Sequence, residues 1–153
     1  MTKTLSVSAI KNGTVIDHIR AGQAFRIMRL LRVLDDNKHK VTVGLNLPSK
    51  LVGLKDLIKI ETRVLTNDEA NEIVIFAPEA TINIIHDFEV IEKITTHLPS
   101  SIAGVFSCPN PICITQKEPV ISQFYIMEQQ KTVKLACHYC EKEFDRDRVK
   151  VNI

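Results

Sequence analysis

Cys108-Pro-Asn-Pro-Ile-Cys113 and Cys137-His-Tyr-Cys140 contain the only four cysteines of the 153-residue chain, and 23 residues separate the two pairs. Close pairs on turns direct two thiolates at one point, and the segment between the pairs can fold back so that they meet. This spacing predicts a closed, structural site with four thiolate ligands, of the kind that binds Zn²⁺. Iron stays open as an alternative, because thiolates bind both metals.

Other interpretations of the cysteines fit less well. A gap of two residues rarely suits a structural disulfide. His138 could replace one cysteine as a ligand, but we expect it to point outward beside Tyr139. Four thiolates fill a tetrahedron and leave no position for an activated water molecule, which argues against a small metal-dependent enzyme.

The composition excludes several classes of protein. Hydrophobic residues make up 44% of the chain and charged residues 25%, as in ordinary globular proteins. No apolar run approaches the roughly 20 residues of a membrane span, and the N-terminus lacks a signal core, so we expect no membrane partner and a cytoplasmic location. Phosphate-loop, nucleophile-elbow and zinc-protease motifs are also missing, which argues against an enzyme.

The charges are evenly spread along the chain. Residues 1–97 hold 13 Lys and Arg against 12 Asp and Glu, and residues 98–153 hold 7 against 6. A protein that binds nucleic acid carries a clear basic excess on its binding domain. The balance therefore argues against the main alternative, a zinc-ribbon nucleic-acid-binding protein.

Hydrophobic patterns predict alternating strands and helices in residues 1–97. The predicted strands are Leu5–Ile10, Thr14–Ile19, Val41–Leu47, Leu57–Glu61 with an open extension to Leu65, Thr81–His86 and Phe88–Ile94. The last two could also be one long bent strand.

Two helices are predicted between these strands. The first begins near Gln23 and ends at Asp35, with Phe25, Met28 and Leu31 in the core. The second opens with a capping box, Thr66-Asn-Asp-Glu69, and ends before Pro78.

From Val15 onward the order is β-α-β-β-α-β, which is typical of a ferredoxin-like antiparallel sheet with two helices on one face. The predicted fold class is therefore α+β. Thr95–Ser101 is polar and separates this domain, residues 1–97, from a second domain, residues 102–153.

The second domain is predicted to be small and all-β, with short strands around the metal. We expect them near Val105, Phe124–Met127, Val133–Ala136 and Val149. A unit of about 50 residues with few large apolar groups rarely folds unaided, and metal binding would stabilise it.

Taken together, the two halves closely resemble the regulatory chain of bacterial aspartate carbamoyltransferase. The similarity runs nearly end to end, and its motifs are specific as a set. They are Gly13-Thr-Val-Ile-Asp-His-Ile19, Gly44-Leu-Asn-Leu-Pro-Ser49, Lys55-Asp-Leu-Ile-Lys-Ile60, Cys108-Pro-Asn110 and Cys137-His-Tyr-Cys-Glu-Lys-Glu-Phe144.

The resemblance implies a non-catalytic, allosteric role in pyrimidine biosynthesis. Chains of this family bind nucleoside triphosphates through the N-terminal domain, which also pairs two regulatory chains. Their zinc domain contacts the catalytic chain, and six chains of each kind assemble. CTP, helped by UTP, inhibits the enzyme and ATP activates it.

The resemblance also implies which residues form each site. The metal ligands are Cys108, Cys113, Cys137 and Cys140. The nucleotide-binding residues are Ala9, Ile10, Val15, Asp17, His18, Lys59, Asn83, Ile85, Val90 and Lys93. The residues at the interface with the catalytic chain are Asn110, Glu118, Glu141 and Lys142.

Three positions depart from the family pattern. Ser8 replaces an acidic residue and Phe88 replaces a tyrosine, both at the edge of the base pocket, and Ile112 replaces an asparagine at the partner interface. From the residues alone, Lys55 and Lys59 are better explained as solvated lysines of an edge strand.

Overall fold

The structure is a computed structural model that describes residues 9–35, 37–50, 53–130 and 132–152. The chain divides into two compact units, residues 1–96 and 97–153. No helix in the described ranges has the length and apolar content to cross a membrane.

In the part of the first unit that the structure describes, an antiparallel sheet has five strands in the order β2-β3-β1-β4-β5. The strands are β1 (Gly13–Arg20), β2 (Val41–Ser49), β3 (Gly53–Glu61), β4 (Thr81–His86) and β5 (Glu89–Ile94). Strand β1 therefore lies between β3 and β4, as a split β-α-β arrangement requires. The prediction of an α+β fold is confirmed.

Strand residues alternate between the two faces of the sheet, and one face forms the core. Ile16, Ile58, Ile60 and Ile82 are fully buried there, as are the helical residues Ile27 and Ile73. The other face carries Val15, Lys59 and Asn83, which stand between these core positions in the sequence.

The predicted strand Leu5–Ile10 is only partly covered by the structure. Residues 5–8 lie outside the described residues, and Ala9 and Ile10 belong to no strand. Strand β3 begins at Gly53, four residues before the predicted start, because it pairs with β2 through Ser49–Gly53 beyond the apolar run that marked it.

Helix α1 (Ala24–Leu30) is shorter than predicted. Its buried residues are Ala24, Ile27, Met28 and Leu30. Leu31, which follows the helix, is buried as predicted, but Phe25 is 59% exposed and its placement in the core was wrong. At about 100° per residue, Phe25 stands to one side of the buried stripe.

Helix α2 (Asn67–Phe76) begins at the predicted capping box. The Glu69 amide donates to the Thr66 hydroxyl, and the Glu69 carboxylate accepts from the Thr66 amide. Arg63 donates to the same carboxylate at 2.6 Å and to the Leu31 carbonyl at 2.7 Å. The cap therefore ties the start of α2 to the end of α1.

Strands β4 and β5 form a hairpin, which settles the alternative left open by the sequence. Asp87 and Phe88 make its two-residue turn, with φ values of 49° and 67°. Two positive φ angles in succession are the mark of a type I′ turn, which matches the twist of the strands it joins.

Over residues 97–130 and 132–152, the second unit is all-β apart from one short 3-10 turn (Ile114–Gln116). Its strands are β6 (Ser101–Ala103), β7 (Phe106–Ser107), β8 (Gln123–Gln129), β9 (Thr132–Cys137), β10 (Glu143–Asp145) and β11 (Lys150–Val151). Four of them form a sheet in the order β10-β9-β8-β6, and β11 pairs with β7. Phe106, Phe124 and Leu135 are fully buried and form its small apolar core.

Candidate metal centre and nucleotide-binding face

The four cysteines converge as their spacing predicts. Cys108 follows β7, Cys113 precedes the 3-10 turn, Cys137 ends β9, and Cys140 lies in the turn after it. All four sulfur atoms lie within 4.8 Å of one another. The Sγ–Sγ distance is 3.7 Å for Cys108 and Cys140 and 3.8 Å for Cys113 and Cys137.

These distances fit a tetrahedral zinc site. Ligands about 2.3 Å from a central ion stand roughly 3.8 Å apart along the edges of a tetrahedron. Disulfide sulfurs would be about 2.0 Å apart, and all four cysteines are free thiols. The donor set is closed, so an ion bound here would hold the two loops together and would not activate water.

Backbone and side-chain hydrogen bonds shape the first cysteine loop. The Cys113 amide donates to the Asn110 carbonyl at 3.1 Å, and the Ile112 amide donates to the Asn110 side chain at 3.2 Å. Gln116 donates to the carbonyl of Cys108 at 2.7 Å. Asn110 is only 5% exposed, so it supports this loop from inside.

The second cysteine loop is a tight turn closed by its own backbone. The Cys137 amide donates to the Lys142 carbonyl at 3.0 Å, and the Glu141 amide donates to the Cys137 carbonyl at 2.9 Å. Glu141 has a φ of 63°, which reverses the chain directly after Cys140. The turn thereby directs both thiols of this pair at the first loop.

The thiol pKa values show why a cation suits this cluster. Burial, followed by the neighbouring thiols, raises the pKa of Cys108, and burial also raises the pKa of Cys137. Burial acts in the same direction on Cys140, but hydrogen bonds led by the Asn110 side chain lower its pKa to about 7. A bound divalent ion favours the thiolate form of every ligand.

His138 is not part of the cluster. Its Nδ1 lies 2.8 Å from the Tyr125 hydroxyl, and its ring meets the rings of Tyr125 and Tyr139 edge-on at 5.7 and 5.1 Å. The expected outward position beside Tyr139 is confirmed. Within the described residues, the four cysteines are the only group of metal-ligand side chains.

In the first unit, strand register brings together residues predicted to bind nucleotide. Val15 in β1 is the cross-strand partner of both Lys59 in β3 and Asn83 in β4, and Asn83 is the partner of Lys93 in β5. These four residues form one row across four strands, about 14 Å long. Because lysine side chains are long, the two ammonium groups can converge above Val15 and Asn83.

Asp17 and His18 lie beside this row, in a β-bulge of β1 between Ile16 and Ile19. Asp17 Oδ1 accepts from the His18 amide at 2.6 Å and from Lys55 Nζ at 2.9 Å. Burial raises the pKa of Asp17, but the hydrogen bonds from Lys55 and His18 outweigh it and hold the pKa below its usual value. Asp17 is therefore ionised at neutral pH.

Lys59 is an unusual lysine because it is only 8% exposed. Burial lowers its pKa, and the Asp17 carboxylate opposes this shift. The interpretation of Lys59 as a solvated lysine is wrong: the strand that carries it is an inner strand of the sheet, between β2 and β1. A buried, poorly solvated cation is well placed to bind an anion.

The remaining predicted residues gather at one end of the same face. Ile85 pairs with Val90 across the β4–β5 hairpin and with Gly13 across β1. The segment that contains Ala9 and Ile10 runs past this hairpin, since the Phe88 amide donates to the Lys11 carbonyl at 2.9 Å. Ser8 lies outside the described residues.

Sequence reasoning missed Asp56, a 1% exposed carboxylate next to Lys55. It accepts from the amides of Gly22 and Ala24 at 3.0 and 3.3 Å and from the Asn46 amide at 3.0 Å. Through these hydrogen bonds, Asp56 of β3 fixes the position of the start of α1 and of the bulge in β2. A carboxylate directly before the apolar pair Leu57-Ile58 of a strand was the available signal.

Comparison with known proteins gives a consistent result for both units. The family model for the "Aspartate carbamoyltransferase regulatory chain, allosteric domain" matches residues 5–97. The model for the "Aspartate carbamoyltransferase regulatory chain, metal binding domain" matches residues 100–150, which include all four cysteines. The chain belongs to the aspartate carbamoyltransferase regulatory chain family.

Individual relatives agree over nearly their whole length. The aspartate carbamoyltransferase regulatory chain of Tolumonas auensis is 53% identical over 147 residues, covering 96% of this chain and 95% of the relative. Those of Chromobacterium violaceum and Yersinia enterocolitica are each 50% identical, covering 97% and 95% of this chain and 97% and 94% of the relative.

Membership in the regulatory chain family agrees with the geometry of the cysteines. The metal-binding family domain and the closed set of four sulfurs together support a structural zinc ion as the cofactor. They do not favour the zinc-ribbon nucleic-acid-binding alternative.

Proposed function

We propose that this chain binds CTP, UTP and ATP through residues 1–97 and docks to the catalytic chain of aspartate carbamoyltransferase through a zinc domain, residues 102–153. It is the allosteric subunit and performs no chemistry of its own. CTP and UTP inhibit the partner enzyme, and ATP activates it. The observation that carries the proposal is the Lys59–Val15–Asn83–Lys93 row on the same chain as a closed metal centre.

The lysines of the row bind the triphosphate. A triphosphate carries about four negative charges, and lysine is an accepted phosphate ligand. Lys59 is desolvated before the ligand arrives, so its attraction for an anion is stronger than that of a surface lysine. Lys93 closes the other end of the row from an exposed position on β5.

Asp17 and His18 bind the ribose and the neighbouring phosphate. Oδ1 of Asp17 already accepts from Lys55 and from the His18 amide, which leaves Oδ2 for the ribose hydroxyl groups. The Thr81 hydroxyl lies 3.2 Å from Nδ1 of His18. With that hydroxyl donating to Nδ1, Nε2 is the ring nitrogen that donates to a phosphate oxygen.

Backbone groups near Ala9, Ile10 and Ile85 form the hydrogen bonds that recognise the base, and Val90 lies beside them. The exocyclic amino group of cytosine or adenine is a donor that suits a carbonyl acceptor, whereas uracil presents a carbonyl at the same place. Backbone acceptors therefore separate UTP from CTP and ATP.

The zinc domain presents a mixed surface that suits a partner protein. Ile112 and Ile121 are 77% and 71% exposed, and the Ile121 carbonyl accepts from the Tyr139 hydroxyl beside the second cysteine loop. Glu118, Glu141 and Lys142 are exposed polar candidates for the interface. Asn110 contributes by shaping the first loop.

Regulation follows if nucleotides bind one state of the assembly more tightly than the other. Purine and pyrimidine nucleotides share the phosphate anchor and differ in size at the base end. A coupling of about 1–3 kcal/mol between sites is typical and must act in both directions. We further propose that two regulatory chains pair through their N-terminal domains and that residues 95–103 form the hinge. The protein resides in the cytoplasm, where reducing conditions keep the cysteines from forming disulfides.

Isothermal titration of the full chain with CTP and with ATP tests the nucleotide site. We expect heat from both ligands and competition between them for one site. Absence of heat from both would refute nucleotide binding by this chain.

Mass measurement of the chain mixed with catalytic chains tests the zinc domain as a dock. We expect a hetero-oligomer that dissociates when a chelator removes the metal, since the closed metal centre holds the loops of the docking surface. An assembly that stays intact after complete metal loss would contradict the proposed dock and leave nucleotide binding untouched.

A further inference from the structure

The four cysteines carry more negative charge than a divalent ion can balance. Four thiolates and one Zn²⁺ have a formal net charge of about −2. Three of the four cysteines are buried, so water compensates little of this charge. A buried charge is costly unless hydrogen bonds stabilise it. The metal centre therefore requires donors that are directed at its sulfur atoms.

Thr115 supplies one such donor from the 3-10 turn that follows Cys113. Its hydroxyl donates to Cys113 Sγ at 3.2 Å. Cys113 stands directly before the turn, and its side chain does not cap the turn. The Cys113 sulfur therefore keeps its acceptor capacity for a metal ion and for Thr115. The half-buried position of Thr115 limits competition from water for this bond.

Asn110 supplies a second donor, which runs from the first cysteine loop to a sulfur of the second. Its Oδ1 accepts from the Ile112 amide at 3.2 Å, so its NH₂ group is the part that donates to Cys140. The oxygen shapes the loop, and a carboxylate would serve that purpose equally well. Only the contact with Cys140 requires an amide at this position.

We propose that Thr115 and Asn110 are supporting residues of the metal centre, whose hydrogen bonds to Cys113 and Cys140 offset the thiolate charge and retain the ion. Hydrogen bonds to charged acceptors are about twice as strong as neutral ones. This inference rests on the zinc domain and not on its docking to a partner. It also gives Asn110 a role other than direct contact with the catalytic chain, for which a side chain that is 5% exposed has little surface to offer.

Full-length chains loaded with Co²⁺ in place of zinc test the inference. The sulfur-to-cobalt charge-transfer absorption responds to hydrogen bonds at sulfur, because a donor lowers the energy of the sulfur electrons. Thr115→Val keeps the volume of the side chain and removes the hydroxyl, whereas Thr115→Ser keeps the hydroxyl. Asn110→Asp keeps the oxygen that accepts from Ile112 and removes the donor to Cys140. Spectra at saturating Co²⁺ compare only metal-bound chains.

Two matched controls remove hydrogen bonds of the same unit that do not involve sulfur. The Thr132 hydroxyl donates to the Gln129 carbonyl at 2.6 Å, and the Asn152 side chain donates to the Phe106 carbonyl at 3.4 Å. Thr132→Val and Asn152→Asp can weaken metal binding through folding, since the two are coupled. They should leave the position of the absorption unchanged.

For Thr115→Val and Asn110→Asp we expect absorption at longer wavelength and a loss of about 10- to 100-fold in zinc affinity, measured by competition with a chromophoric chelator. Thr115→Ser should match the natural chain. An affinity loss without a shift in absorption, no change in either variant, or an equal shift in the controls would overturn the inference. Thr115→Val keeps the test decisive if Asn110→Asp does not fold. If the natural chain shows no sulfur-to-cobalt absorption, the metal centre itself fails.

Discussion

The metal centre takes its ligands from two short loops, Cys108–Cys113 and Cys137–Cys140, whereas the proposed nucleotide face takes its side chains from four strands. The first site depends on local turns and on the bond lengths of one ion. The second depends on the register of every strand pair and on the bulge at Asp17 and His18. A site of the first kind is visible as a spacing in the sequence, and a site of the second kind appears only when the sheet is assembled.

The two sites also differ in what stabilises them. The first unit has a core of fully buried isoleucines under its sheet, so its face exists without a ligand. The second unit is small, and its four cysteine sulfurs lie within 4.8 Å of one another, so that a bound cation is needed to balance the charge of their thiolate forms. Ligand removal should therefore affect the two units very differently.

Metal removal should have the largest effect. Zinc binding in small four-ligand domains contributes roughly 10–16 kcal/mol to folding, so a chelator should unfold the C-terminal unit and leave the N-terminal unit folded. A thiol-reactive dye should label none of the four cysteines before chelation and all four afterwards. Thiols that react fully in the untreated, freshly purified chain, or that prove oxidised, would contradict the metal centre.

Gly13→Ala should unfold the N-terminal unit selectively. A Cβ at this position would lie 2.1 Å from the Ile60 carbonyl oxygen, and the φ of 140° also disfavours a side chain. We expect a loss of about 2–4 kcal/mol in the free energy of unfolding, measured with denaturant.

Gly22→Ala is the matched control, since it also has positive φ but nothing lies within 4 Å of the added carbon. It should cost only about 1 kcal/mol. Equal losses for the two variants would show that the close approach of β1 to β3 does not exist.

Lys59→Met should separate binding from folding. Methionine keeps the buried stem but removes the charge, so triphosphate affinity should fall roughly 10- to 150-fold, the equivalent of about 1.5–3 kcal/mol for a hydrogen bond to a charged group. Stability should not fall at neutral pH, because the lowered pKa of Lys59 means that its charge opposes folding. Titration calorimetry and thermal melting measure the two effects.

Lys40→Met serves as the control for Lys59→Met, since that lysine is 78% exposed and pairs with Glu61 at the end of the sheet. Unchanged triphosphate affinity in Lys59→Met, or an equal loss in Lys40→Met, would remove Lys59 from the site.

Asp17→Asn should have the smallest effect on stability, a small loss at neutral pH that disappears in acid. The folded state lowers the pKa of Asp17 below 3.8, so the ionised group stabilises the fold above that pH and this stability is lost as the pH falls through the lowered pKa. The free energy of unfolding of the Asp17→Asn variant should therefore fall less steeply as the pH is lowered. Asp87→Asn changes a carboxylate at an exposed turn and should leave the pH dependence of stability as it is in the natural chain. The same pH dependence in the natural chain and in both variants would show that Lys55 does not stabilise the Asp17 carboxylate.

The sequence was most informative where the chemistry is local. The cysteine spacing, the capping box at Thr66 and the order of strands and helices each depend on neighbouring residues, and the structure confirms them. Phe25 was wrongly placed in the core because it is apolar yet lies off the buried stripe of α1, and apolar character alone does not show which side of a short helix a residue occupies.

Features that depend on distant pairing could not be derived from composition or periodicity. The bulges at Asp17–His18 and at Asn46 interrupt the alternation that marks a strand. The Asp17 carboxylate accepts from the amide of the neighbouring His18, and the Asp56 carboxylate of β3 accepts from the Asn46 amide. Lys59 was interpreted as solvated because the residues around it in the sequence do not show that its strand, β3, lies inside the sheet. The resemblance to the family supplied the nucleotide residues, and the register explains why they belong together.

Hydrogen exchange of the zinc-loaded full chain, followed by mass spectrometry with and without ATP, tests the division of roles most directly. ATP should slow exchange at residues 9–13 and 85–90, where the base end of the face lies, and a chelator should speed exchange only within residues 97–152. Slowed exchange confined to residues 97–152 on ATP addition, or no change anywhere, would contradict it.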